Sequence, residues 1–310
     1  MRIAGRGFGR SRWWACAVVL VVVVLAGAAS QRRSTKAGLQ PTTSEAAPSA
    51  DSATLSRSVP PPAPKLNALH LPARDGITTV VSLTFDDGVY DQYALNTLLP
   101  PRHLTATLYV NSGLLYEDGY KGKMALTDLD DLVQHGVEIG GHSVDHPDLT
   151  HLSTSSLRQE ICDDRAQLRG WGYEIVSFAY PSSRSDAVTE AVARSCGYLS
   201  ARVVGGVDCP DCPAAESFPP VDRYSLRTAD AVEMGTAVAE MQQDVLDAEA
   251  QAQQTGRPAW LIMNFHHICD ACNKYSVSER NLAALLDWLA HRPATTAVRA
   301  VGAVVLHGFR

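Results

Sequence analysis

Along this chain, short runs rich in Val, Ile, Thr and Phe alternate with longer stretches whose apolar residues recur every three to four positions. From Gly76 onward the runs Thr79 to Phe85, Thr105 to Val110, Val137 to Ile139, Ile175 to Ala179, Tyr198 to Val203, Trp260 to Phe265 and Val298 to Val305 predict strands. Between them Leu126 to His135, Ser155 to Arg169, Asp186 to Cys196, Asp230 to Gln254 and Glu279 to His291 predict helices, the last announced by the capping-box spacing of Ser276-Val-Ser-Glu279. Strand followed by helix, repeated without an internal sequence repeat, predicts an α/β domain: a parallel sheet covered by helices, either open or closed into a barrel. In both forms ligands sit at the carboxyl ends of the strands.

The chain before Gly76 has a different pattern. Trp13 to Ala29 is one apolar run, flanked by Arg2, Arg6, Arg10, Arg12, Arg32, Arg33 and Lys36 with no acid among them. That is the layout of an export signal, either cleaved or kept as a membrane anchor, and it predicts an extracellular protein, secreted or tethered to the outer face of the membrane. Residues 31–75 are Ser/Thr/Ala/Pro-rich, including Pro60-Pro-Pro-Ala-Pro64, and predict a disordered linker. Residues 1–30, 31–75 and 76–310 are thus expected to be signal or anchor, linker and a single catalytic domain. Removing the seven N-terminal positive charges from the formal net charge of −6 leaves −13 for the remainder. So acidic a domain argues against a nucleic-acid partner.

Three predicted strand ends carry chemistry. Val80-Val-Ser-Leu-Thr-Phe-Asp-Asp-Gly88 is a buried-type strand that stops in two adjacent carboxylates and a glycine. His142-Ser-Val-Asp-His146 follows a Gly-Gly pair; two imidazoles four residues apart on one face of a helical turn can converge on one metal ion. Trp260-Leu-Ile-Met-Asn-Phe-His-His267 ends in two histidines. Two imidazole nitrogens and a carboxylate oxygen are a common ligand set for catalytic zinc.

In this order, Thr84-Phe-Asp-Asp-Gly88, His142-Ser-Val-Asp-His146, Phe178-Ala-Tyr-Pro181 and Phe265-His266 resemble the motifs of the polysaccharide deacetylases, the NodB-type carbohydrate esterases, in a branch with a Phe-Ala-Tyr-Pro third motif. The resemblance covers roughly Ile77 to the C-terminus. It implies a distorted (β/α) barrel, a divalent metal, zinc above all, on Asp87, His142 and His146, Asp86 as general base and His266 as general acid. It also implies an oxyanion contact from a backbone N–H near Ser182, and an acetylated polysaccharide (peptidoglycan, chitin-like or xylan-like) as the partner. A monomer is expected, and the apolar run predicts that it touches membrane only through its N-terminal segment. Tyr180 and Trp260 are candidates for stacking on sugar rings. Two other readings stay open: a cyclic amide or ureide hydrolase of the same fold, and a non-catalytic glycan-binding domain that keeps the metal site.

Two departures from the family pattern stand out. Ala179 occupies the place of the third-motif arginine that orients the catalytic base, so something else must orient Asp86. The fourth motif, which supports the catalytic histidine, has no counterpart between Gly205 and Arg227, where Arg223 is the candidate cleft charge. Cys162, Cys196, Cys209, Cys212, Cys269 and Cys272 follow the apolar segment that holds Cys16. Cys209-Pro-Asp-Cys212 and Cys269-Asp-Ala-Cys272 would suggest a four-thiolate zinc site in a reducing compartment. With export the expectation becomes disulfides, Cys162 with Cys196 and the other four in two bridges bracing the loops after the fifth and sixth strands.

Overall fold

The computed structural model describes residues 76–115 and 122–309. The expected signal or anchor (residues 1–30) and linker (residues 31–75) lie outside the described residues. Strand β1 (Thr79–Phe85) is buried at all seven positions. It runs parallel to β8 (Ala259–Phe265) on one edge, and to β11 (Thr296–Val298) and β2 (Thr107–Val110) on the other. A strand covered on both faces and both edges has no use for polar alternation, which is why Val80-Val-Ser-Leu-Thr-Phe85 reads as a nearly continuous apolar run. The sheet continues through β3 (Glu138–Gly141), β4 (Ser177–Ala179), β5 (Ser200–Gly206) and β7 (Leu226–Thr228), all parallel, while the short β6 (Glu216–Ser217) pairs antiparallel with β8. After β7 the backbone reaches back to β8, with Ala229 N donating to Ile262 O at 3.0 Å and Val232 N to Asn264 O at 2.9 Å. This contact nearly closes the sheet into a barrel.

The helices are α1 (Leu95–Leu98), α2 (Leu126–Gln134), α3 (Thr154–Arg158), α4 (Asp164–Gly170), α5 (Ala187–Ser195), α6 (Val238–Thr255), α7 (Glu279–Ala290) and α8 (Val301–His307). A π-helical turn, Gln159–Asp163, separates α3 from α4 and carries Cys162, which is disulfide-bonded to Cys196 just past α5. Cys209 pairs with Cys212 and Cys269 with Cys272. A small second sheet pairs β9 (His267–Ile268) with β10 (Ser276–Val277).

Three local expectations are corrected. The expected strand Val298 to Val305 ends at Val298 and turns into α8. The helix wins because buried side chains take its first N–H groups: Val301 N donates to Thr107 Oγ1 at 2.9 Å and Gly302 N to the Glu138 carboxylate at 2.8 Å. Helical spacing also buries Val301 and Val304 together, each burial contributing about 1.5–3 kcal/mol. The expected helix Asp230 to Gln254 begins only at Val238, because residues 229–232 are committed to β8 and Gly235 turns the chain at φ 98°. The cap of α7 is Ser278, whose hydroxyl accepts from Asn281 N at 3.1 Å, while Ser276 is engaged in β10.

Glu138 gives the fold a pH dependence. Burial pushes its carboxyl up to about 7, against the hydrogen bonds from Ser177 and from the backbone of α8. Burial also lifts Asp164 to about 7, although Ser112 and Tyr198 bond to it. Both folded-state values are raised, so the stabilisation is complete below the ordinary carboxylate range and is lost as pH rises toward 7. For Glu138 the loss is about 3 kcal/mol. Thermal melts of Glu138→Gln are expected to show a flatter decline between pH 4.5 and 7 than wild type; equal slopes would remove Glu138 from the account.

Candidate active site

The strand register builds the site. Phe85 pairs with Phe265, their rings stacked at 5.0 Å, so Asp86 and His266 leave adjacent strands at the same level. Val110 pairs with Gly141, which brings His142 to the same rim. The Gly-Gly pair before His142 has a packing cause: a Cβ on Gly141 would lie 2.0 Å from the Tyr198 hydroxyl and 2.4 Å from Asp164.

Asp86 and Asp87 diverge. Asp87 takes a left-handed backbone (φ 79°), as does Gly88, turning one carboxylate toward the histidines while the other stays buried. Residues 142–146 are not the expected helical turn; Ser143 and His146 both have positive φ, and the loop folds back so that the two rings meet at a centroid distance of 4.8 Å. Asp87 Oδ1 lies 3.6 Å from His142 Nε2 and 3.5 Å from His146 Nε2. His142 Nδ1 bonds the Ala179 carbonyl at 2.8 Å, which directs the lone pair of Nε2 to the cluster. Burial, only partly offset by Asp86 and Asp87, lowers His142 to about 4 and keeps it neutral, the form that ligates. These three residues form one of two groups among the described residues whose donor atoms gather within 4.8 Å. The donor set therefore fits a divalent cation such as zinc.

Asp86 is held by two residues that the motif comparison missed. Arg202 Nη2 forms an ion pair with Oδ1, and Asn264 Nδ2 donates to Oδ2 at 3.0 Å; Arg202 and Asn264 are both fully buried. Arg202 also lies over the Tyr109 ring, 4.6 Å from its centroid. In the β4–β5 register Arg202 is the direct partner of Ala179. The arginine absent from the third motif is thus present one strand over, at the same level of the sheet. The signal was available as an arginine and an asparagine inside runs that otherwise read as buried strands. Burial raises the Asp86 carboxyl, but Arg202, followed by His142, His266 and Asn264, outweighs it and holds the group below its ordinary value. Gln92, also missed, donates from Nε2 to the carbonyls of Asp86 (2.5 Å) and His266 (2.6 Å), joining the two motif ends.

A cavity of about 390 Å3 opens over these groups, lined by Asp86, Asp87, His142, His146, Tyr180, Ser182, Ser183, Val204, Ala231, His266 and Tyr275. Tyr180 is buried, with its hydroxyl bonded to Tyr224 O at 3.0 Å. The Ser182 turn is pinned by Ser183 Oγ, which accepts from Val204 N at 2.7 Å. Tyr275 faces the His266 ring at 5.2 Å. His266 Nδ1 is buried and meets no hydrogen-bond partner among the described residues, in keeping with the missing fourth motif. Two sequence candidates fall elsewhere: Arg223 is exposed and does not line the cavity, and Trp260 is fully buried, donating to Ser82 Oγ at 2.9 Å. The two Cys-x-x-Cys pairs do not form one four-thiolate group.

The family model described as polysaccharide deacetylase matches residues 73–201. The chain is 33% identical over 119 residues to the uncharacterized protein SCO4760 of Streptomyces coelicolor, covering 38% of this chain and 45% of that one. It is 26% identical over 120 residues to YxkH of Bacillus subtilis, provisionally named a polysaccharide deacetylase, covering 38% of this chain and 42% of that one. The chain therefore spans less than half the length of these curated relatives. Among solved structures, the Xyl-CE4 domain of a multidomain xylanase from the hindgut metagenome of Trinervitermes trinervoides aligns with a TM-score of 0.47 at 17% identity, over 74% of this chain and 91% of that one. The motifs gathered on one rim of a barrel-like α/β sheet and the match over residues 73–201 agree: this chain resembles the polysaccharide deacetylases, and its fold is the one that resemblance implied.

Proposed function

We propose that this protein is an exported, metal-dependent hydrolase that removes acetyl groups from a polysaccharide. The observation that carries this reading is the convergence of Asp87, His142 and His146 with Asp86 and His266 around one cavity. A divalent metal on the first three residues would supply a Lewis acid that acidifies water and polarises the acetyl carbonyl. Asp86, ionised and held on both oxygens, keeps a free lone pair on each with which to take the proton of the attacking water. His266, on the neighbouring strand end, gives a proton to the departing sugar amine or alcohol as acetate leaves. The backbone N–H of Ser182, in the pinned turn at the cavity wall, is the candidate donor to the oxyanion.

Acetate release from N-acetylglucosamine oligomers and from acetylated xylan tests the proposal and begins to separate peptidoglycan-like or chitin-like substrates from xylan-like ones. Release is expected to vanish after chelator treatment and to return with Zn2+. Release that survives complete metal removal would sink the metal-dependent mechanism.

One observation favours the second reading, a non-catalytic glycan-binding domain: the unsupported Nδ1 of His266. The paired Asp86 and Arg202 favour the first, because a binding domain has no need of an oriented base.

A further inference from the structure

The second group of gathered donors has no part in the proposed hydrolysis. It comprises Asp91, His267, Cys269 and Cys272, with one ligand atom from each residue within 4.8 Å of the others. We propose that these four residues are a redox-gated metal site, closed while Cys269 and Cys272 are joined as a disulfide and open to Zn2+ or a similar cation once they are reduced.

The donors are positioned by contacts other than the disulfide. His267 Nδ1 and Asp91 Oδ2 are 2.7 Å apart, and Ile268 N donates to Asp91 Oδ1 at 3.0 Å. His267 N donates to Tyr275 O at 3.0 Å and Cys269 N to Val277 O at 2.9 Å, so the β9–β10 clip fixes both residues at the backbone. A Cys-x-x-Cys pair with one imidazole and one carboxylate is a four-donor set suited to Zn2+ or Co2+. The Cys209–Cys212 pair has the same spacing, yet among the described residues it belongs to no such group. Spacing alone therefore does not create the cluster; Asp91 and His267 do.

The chemistry balances with a dithiol as reductant. Its thiolate attacks a sulfur of the disulfide at the exposed Cys272 end, forming a mixed disulfide and releasing one cysteine thiol. The second thiol of the reductant resolves the mixed disulfide, leaving the reductant oxidised by two electrons and Cys269 and Cys272 as thiols. Metal binding then takes both as thiolates and releases two protons.

The exchange bears on the cavity because both partners of the cluster adjoin it in sequence. Asp91 precedes Gln92, which clamps the carbonyls of Asp86 and His266, and His267 follows His266. The disulfide joins only two residues of one loop, whereas a metal held by all four residues would join that loop to Asp91, adding to the Asp91 contacts with His267 and Ile268.

Co2+ alone is the probe, titrated into the full-length protein before and after reduction by dithiothreitol and desalting without oxygen. The reduced protein is expected to bind one equivalent more than the oxidised protein and to gain a near-ultraviolet thiolate-to-cobalt charge-transfer band. The Asp87–His142–His146 group has no sulfur and cannot produce that band. Asp91→Asn and His267→Ala, each checked for folding by near-ultraviolet circular dichroism in the oxidised state, are expected to weaken the band-forming affinity by at least about 10-fold, the smallest loss usual for residues that merely support a ligand. Cys209→Ser/Cys212→Ser is expected to leave it unchanged. The proposal is overturned if thiol counting shows Cys269 and Cys272 reduced but no band forms, if the band persists in Cys269→Ser/Cys272→Ser, or if His267→Ala binds Co2+ as tightly as wild type.

Discussion

Asp86→Asn is expected to lower acetate release by about 10²–10⁴-fold per folded molecule, the range associated with losing a positioned general base. The carboxylate is 2% exposed, sits at the end of a strand buried on all sides, and faces the cavity shared with the metal candidates and His266. The amide has the same shape but cannot accept a water proton at neutral pH. Its single remaining carbonyl oxygen can satisfy only one of the two groups that now hold the base, Arg202 or Asn264. Some loss of melting temperature is therefore expected as well, because the buried guanidinium loses its counter-charge. Metal stoichiometry is expected to stay unchanged, since Asp87, His142 and His146 are intact. Metal analysis and acetate release on the same sample separate these effects. A variant that keeps wild-type turnover would remove Asp86 from the role of base.

Arg202 carries the second large effect. Arg202→Leu strands the Asp86 carboxylate in a fully buried site, and breaking such a pair costs about 3–5 kcal/mol, a large share of the about 5–15 kcal/mol by which a domain is usually stable. Arg202→Lys keeps the charge but loses the planar guanidinium over Tyr109 and its fixed reach to Oδ1. It is expected to fold and to lose about 10²-fold in kcat with little change in KM, the pattern of a misplaced base. Because Ala179 and Arg202 are register partners with side chains at one level, Ala179→Arg combined with Arg202→Ala is expected to be more active than Arg202→Ala alone. Wild-type kcat in Arg202→Lys, or no difference between Arg202→Ala and the double variant, would show that the arginine does not orient the base.

Arg202 also shows why the residue that holds Asp86 is not legible from the third motif. Motifs are read along the sequence, whereas a catalytic base feels only charge and distance. In a parallel sheet, residues paired across neighbouring strands present their side chains to the same face. An arginine on β5, 23 positions beyond Ala179 along the chain but level with it in the sheet, can therefore reach the Asp86 carboxylate.

The sequence by itself determined the strands that carry the site, because β1 and β8 are buried on both faces and their runs of Val, Leu, Ile and Phe admit no other periodicity. It determined the acidic and histidine strand ends as well, since charged and metal-binding residue types stand out against such runs. The Cys162–Cys196 disulfide is the expected one, and the other four cysteines form the expected two bridges, whose pairing, Cys209–Cys212 and Cys269–Cys272, the structure supplied. Local pattern failed where a distant group decided the outcome. The segment after Val298 is helical because Glu138 and Thr107, far away in the chain, accept its first N–H groups. Residues 229–232 are extended because β8 offers them an edge. His142 and His146 converge through positive φ angles in a loop, a conformation their spacing does not encode. Only the tertiary structure placed Arg202 on Asp86, and Asp91 and His267 beside Cys269 and Cys272. Arg202 and Asp86 come from different strands and Asp91 from a segment far in sequence from His267, so only the folded arrangement of the strands sets that they meet.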